Sequence, residues 1–165
     1  MIVQAHMAYP FLLLFGLDKA LGLGLDHTHY LIILFFSILP DLDYVFYFLA
    51  KRGRIKPIPQ HHEWFTHWPI TYSPLLLALV LSPSLKLAIA VMGIYMHMMM
   101  DMFNSGDGLM VFYPVSKKYF NFLSDKTRGH SDFQWLAAYK TTKQYRVDMF
   151  SFALAAFLFV FQVLL

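Results

Sequence analysis

Five apolar runs dominate this chain, and the charge between them is too sparse to coat a water-soluble surface. The runs cover about 2–17, 27–50 (interrupted by Pro40), 69–81, 85–103 and 147–165. Only 14% of the residues are charged, while 58% are hydrophobic and 18% aromatic. A soluble domain of this size carries roughly 25% charged residues. A lipid-facing exterior resolves the shortfall. A spanning helix needs about 20 mostly apolar residues. The second, fourth and fifth runs meet that length, and the first and third are short. The expected fold is an all-α, polytopic membrane helix bundle of four helices, or five if the first crosses fully. It forms one domain over residues 1–165, in contact with the lipid bilayer.

The stretch 104–146 is the one long polar segment. It is too aromatic for a disordered linker, carrying Phe112, Tyr113, Tyr119, Phe120, Phe122, Phe133, Trp135 and Tyr139. We expect it to fold against the bundle end or to lie at the interface, as an interfacial segment on the cytoplasmic side. No Lys or Arg precedes the first apolar run and no small-x-small cleavage site follows it, so the first helix is expected to be retained.

If all five runs cross, the loop 51–68, the segment 104–146 and the N-terminus share one side. That side receives Lys51, Arg52, Arg54, Lys56, Lys117, Lys118, Lys126, Arg128, Lys140, Lys143 and Arg146, against Lys19 and Lys86 opposite. The bias assigns the first side to the cytoplasm. It also accounts for the net charge of +3 without a nucleic-acid partner.

Cysteine is absent, so disulfides and thiolate metal sites are excluded, and any metal site must draw on the eight His residues and on carboxylates. On this topology His6, Asp41, Asp43, His61, His62, His67, His97 and Asp101 all approach the basic end, and only His27 and His29 fall opposite. His97 and Asp101 are spaced i, i+4, which puts them on one helix face a turn apart. A carboxylate in an apolar run needs a partner or an ion. That pair either binds metal or forms a hydrogen bond holding helices together. Pro40 frees a carbonyl and predicts a kink, so Asp41 and Asp43 either line a polar break or open a restarted helix. The segment 61–67, His-His-Glu-Trp-Phe-Thr-His, is rich in ligands, but its spacing is not that of a zincin. Its alternative is a set of interfacial side chains around Trp64.

His and Asp donors without thiolate suit a catalytic zinc or manganese ion with an open position for water, and the number of donors allows two ions. The blocks Pro40-Asp41-Leu42-Asp43, His62…Thr66-His67 and His97…Asp101…Gly108…Tyr113-Pro114 resemble the YdjM-like family of inner-membrane metal-dependent hydrolases. The arrangement is also distantly similar to the zinc-dependent phospholipase C and single-strand nuclease superfamily. The resemblance covers roughly residues 1–120, and His6 matches the family's early histidine. It implies a divalent metal held by His6, Asp41, Asp43, His62, His67, His97 and Asp101, in a bacterial inner or archaeal cell membrane. The chain departs from the family pattern at Glu63, where the family has arginine, and at Trp68, where it has serine.

The expected activity is hydrolysis of a phosphoester, including that of an anionic lipid, with Glu63 or Asp43 as general base. Later ligands are sought at Asp107, His130 and Asp132. Lys117 and Lys118 either attract an anionic headgroup or anchor the chain at the cytoplasmic face. The competing readings are a metal-binding scaffold, a transporter, or a regulatory partner acting through 104–146. The apolar stretches 85–91 and 154–165 argue against a polar transport path.

Overall fold

The computed structural model describes residues 2–43, 45, 61–103, 108–122 and 132–164. These form helices α1 (Val3–Leu21), α2 (His27–Ile38), α3 (Ser73–Leu81), α4 (Leu85–Met102), α5 (Asp132–Lys140) and α6 (Lys143–Leu164). Three 3-10 turns, His61–Glu63, Phe65–His67 and Pro69–Tyr72, lead into α3. The one β-type contact among the described residues is the isolated bridge Leu109–Phe120. The all-helical class expected from the sequence is observed.

Among the described residues, two helices are long and apolar enough to cross a membrane: α4, and residues 143–162 of α6. The second run is not one continuous helix: α2 ends at Ile38, Pro40 lies in the break, and the backbone is helical again at Leu42, Asp43 and Val45; residues 44 and 46–50 lie outside the described residues. The third run is divided into a 3-10 turn and the nine-residue α3. Within the segment 104–146 lies α5, and the last helix starts at Lys143 rather than Val147.

Helix α2 packs chiefly on α4 and α1, and α1 packs on α6. Ala8, Phe11, Leu14, Tyr30, Ile33, Ile89 and Ala155 form one core between them. A second core of Tyr72, Ile94, Met98 and Leu109 lies toward the C-terminal end of α4. Outward-facing apolar side chains run down α3 and α6, with Val80, Leu81, Phe150 and Phe157 each more than two-thirds exposed. In water such a surface would drive aggregation; in lipid it is the ordinary exterior.

At the far end, α1 stops at Gly22, whose φ of 63° suits a residue without Cβ. Buried Asp18 locks the turn, accepting hydrogen bonds from the Leu25 backbone N–H (3.0 Å) and the Tyr30 hydroxyl (2.7 Å). Asp26 and His29 form a reciprocal capping box that starts α2. This is a structural role for His29, away from the cluster below.

Candidate metal centre

Pro40 shapes the centre through a backbone effect. It ends α2, and the Asp41 N–H turns back to the Ile38 carbonyl at 3.1 Å. The Ser37 carbonyl then accepts from His97 Nδ1 at 2.7 Å. Because a carbonyl only accepts, Nδ1 carries a proton, and in the neutral ring Nε2 then presents its lone pair. Gly93 makes this approach possible: a Cβ there would sit 3.1 Å from the Ser37 nitrogen and 3.2 Å from the Ile33 oxygen. His97 lies one helical turn further along the same face.

His97 Nε2 is buried and makes no hydrogen bond, although it faces Asp101 Oδ2 at 3.2 Å and Asp41 Oδ1 at 3.5 Å. A lone pair aimed at two carboxylates is unfavourable without a cation between them. Around it, His6 Nε2 lies 3.2 Å from Asp101 Oδ1, and His62 Nε2 lies 3.7 Å from Asp101 Oδ2. His67 Nε2 lies 3.5 Å from Asp41 Oδ1. The His6 and His97 rings stack at 3.8 Å. Among the described residues, two groups could each hold a metal ion: His6, Asp41 and His97; and His62, His67 and Asp101. In each group the ligand atoms all lie within 4.8 Å of one another. The donor set therefore fits a divalent ion: imidazoles and carboxylates, buried, with one lone pair fixed by a backbone bond.

Asp43 sits behind this cluster. Its Oδ2 lies 3.4 Å from His67 Nδ1 and accepts a 3.0 Å hydrogen bond from the Thr66 hydroxyl. It belongs to neither group of ligand atoms, whereas Asp41 belongs to one. Burial alone would push the His67 imidazole down, but the adjacent Asp41 and Asp43 carboxylates outweigh it and hold it up at about 9. Burial pushes His62 down to about 4, outweighing the pull of Asp101.

The loop carrying His62 and His67 is pinned at several points. The Tyr72 hydroxyl donates to the Thr66 carbonyl (2.9 Å), and the Tyr95 hydroxyl of α4 donates to the Pro69 carbonyl (3.1 Å). Trp68 stacks on Tyr113 at 3.8 Å, which ties the loop to the segment 108–122. Gly108, at φ 87°, leaves no room for a side chain: a Cβ would lie 2.2 Å from the Phe120 oxygen. The Tyr113–Pro114 peptide is cis.

Glu63 lies apart from the buried donors. Its carboxylate is exposed and accepts a 2.7 Å hydrogen bond from the Tyr119 hydroxyl. Asp107 and His130 lie outside the described residues, as does the basic stretch 51–56. Asp132 opens α5, and its side chain is likewise not described. His61 starts the first 3-10 turn.

Sequence reasoning missed the supporting residues Ser37 and Gly93, and it named Thr66 and Tyr119 without a supporting role. A glycine four residues before His97 was the available signal for a close helix approach. It also missed Asp148, which is fully buried near the start of α6. Asp148 accepts hydrogen bonds from Tyr9 (2.7 Å), Gln144 (2.7 Å) and Tyr139, linking α1, α5 and α6.

Comparison with known proteins gives one result. A family model described as YdjM inner membrane protein matches residues 1–165. No curated protein and no solved structure matches the chain.

Proposed function

The chain belongs to the YdjM inner membrane protein family, and on that premise we propose that it is a membrane-bound, metal-dependent hydrolase of phosphoesters, with lipid phosphoesters the favoured substrates. The observation that carries this reading is the lone pair of His97 Nε2, buried and aimed at Asp41 and Asp101 with no hydrogen bond. His6, Asp41, His62, His67, His97 and Asp101 would hold the metal, zinc in preference to manganese. A divalent ion supplies a Lewis acid for the phosphoryl group and acidifies water toward neutrality.

The remaining residues prepare that chemistry. The Ser37 carbonyl keeps the proton of His97 on Nδ1, and Asp43 does the same for His67. Both imidazoles then turn Nε2 toward the ligand carboxylates. In this reading Glu63, which accepts a hydrogen bond from the Tyr119 hydroxyl at the exposed edge, would take a proton from water and return it to a leaving group. Exposed Phe65, Phe112 and Val115 flank this edge in sequence, and Lys117 and Lys118 follow. Apolar and basic side chains together favour a substrate presented by a leaflet. The basic side faces the cytoplasm in this reading, in an integral inner-membrane bundle.

The test is elemental analysis and substrate profiling on one preparation. Gently purified protein should retain a transition metal, and His97→Ala with Asp101→Ala should release it. Hydrolysis from a phosphodiester and phospholipid panel should require the metal. Retention below about a tenth of an equivalent overturns the centre itself. Metal retained without turnover favours a scaffold or a transport role.

A further inference from the structure

We infer that the indole N–H of Trp68 is a substrate-binding donor, which takes a phosphoryl oxygen of the group bound at the metal centre. The inference rests on the hydrolase reading above and deepens it by naming a residue that recognises the substrate. Its basis is a donor that the fold encloses and leaves without an acceptor.

Trp68 Nε1 is buried and makes no hydrogen bond among the described residues. The backbone of the same residue is satisfied. Its N–H donates to the Phe65 carbonyl at 3.2 Å, and its carbonyl accepts from the Thr71 N–H at 2.9 Å. A buried N–H without an acceptor costs stability, and a buried indole ordinarily finds a partner. The indole N–H only donates, so the partner it suits is an acceptor oxygen. The chain departs from the family pattern at this position, so the indole is a property of this chain.

The loop that carries Trp68 is the open side of the centre. Trp68 directly follows His67, whose Nε2 lies 3.5 Å from Asp41 Oδ1. In the same loop the His62 side chain is 12% exposed, whereas those of His67 and His97 are covered. Two contacts hold this loop against the segment 108–122. Trp68 stacks on Tyr113 at 3.8 Å with 27° between the rings, and the Tyr119 hydroxyl donates to Glu63 at 2.7 Å. The stack fixes the plane of the indole, and with it the direction of the N–H, before anything binds. A donor set in advance loses little freedom on binding.

The chemistry of the loop selects the ligand. The Thr66 and Tyr119 hydroxyls are already engaged by Asp43 and Glu63, and Glu63 itself is an acceptor. Trp68 adds an uncharged donor to this edge. A phosphoester carries more than one non-bridging oxygen. One can meet the metal while another accepts from Trp68.

The experiment uses the full chain in detergent, loaded with Zn2+ and labelled with 15N in its three tryptophan indoles. Nuclear magnetic resonance follows the indole N–H signals as inorganic phosphate or, separately, a short-chain phosphatidic acid is added. The Trp68 signal, identified by its loss in Trp68→Phe, should move downfield, and the probe that moves it names the source of the phosphoryl group. Protein stripped by chelator should show no movement. Trp68→Phe keeps a ring against Tyr113 and should retain metal. Its affinity for the same probe should fall by about 10- to 100-fold, the worth of a hydrogen bond to a charged group. A Trp68 signal that ignores both probes, or that moves equally without metal, overturns the inference. So does unchanged affinity in folded Trp68→Phe. If that variant does not fold, the unmodified chain decides, with its signals assigned through Trp64→Phe and Trp135→Phe. Hydrolysis of the phospholipid panel is measured on the same sample. Hydrolysis with a silent Trp68 overturns this donor and leaves the hydrolase reading standing. A responding Trp68 without hydrolysis does the reverse.

Discussion

His97 donates its Nδ1 proton to the Ser37 carbonyl at 2.7 Å, across the contact between α4 and α2. This bond couples the backbone break before Pro40 to the direction of a buried imidazole lone pair. It also makes the centre sensitive to the spacing of two helices, and that spacing rests on Gly93.

Gly93→Ala should therefore weaken metal binding although it touches no ligand. The new methyl would press on the α2 backbone at 3.1–3.2 Å, so α2 must move and the Ser37 carbonyl with it. Loss of such an orienting partner typically lowers metal affinity by about 10- to 100-fold. A competition titration against a fluorescent chelator measures this. Unchanged affinity in a folded Gly93→Ala protein would show that the helix contact does not position His97.

Asp41 and Asp43 should separate in the same assay. Asp43→Asn removes the carboxylate behind His67 Nδ1 and should lower affinity by about 10- to 100-fold while leaving the number of bound ions unchanged. Asp41→Asn removes a carboxylate facing His67 and His97 and should reduce the number of ions. Equal stoichiometry in both variants would remove Asp41 from the ligand set.

Metal affinity should rise with pH, because protons compete at His67. Its pKa is raised from an ordinary value of 6.5 to about 9 by Asp41 and Asp43, against the effect of burial. An ion taking Nε2 must displace that proton. Affinity should climb by about tenfold per pH unit from neutrality and level off above about 9. His62, pushed down to about 4, is already neutral there and adds no competition. The metal-free protein has the opposite trend. The raised pKa gives stability that is complete below 6.5 and lost as pH rises to about 9. The melting-temperature gap between loaded and stripped protein should therefore widen across that window. A gap constant from pH 6.5 to 9 would refute the proton competition.

The Asp148 cluster should behave as structure alone. Tyr9→Phe removes one of its donors and should cost about 1 kcal/mol of stability, the ordinary worth of a buried hydrogen bond. Metal content should be unchanged. Thermal unfolding beside elemental analysis tests both parts, and loss of metal in Tyr9→Phe would extend the centre to α6.

Some of this was legible in the chain itself. Hydropathy and charge are summed along the sequence, so the apolar runs and their sparse charge announced a membrane helical bundle before any packing was known. Donor identity is equally local: with no cysteine, His and Asp were the available ligands. The i, i+4 spacing fixed His97 and Asp101 on one helix face. The run lengths were less informative, because Pro40 ended α2 early.

The structure decided what depends on direction. Asp41 and Asp43 are two residues apart and chemically identical, so only the turn after Ile38 distinguishes one facing His67 and His97 from one behind His67. Glu63 is beside His62 in sequence, yet the fold gives its carboxylate to Tyr119. The sharing of Asp101 among His6, His62 and His97 joins residues nearly a hundred positions apart. Such contacts follow from how helices approach and where a proline releases a carbonyl, and those are properties of the packed chain.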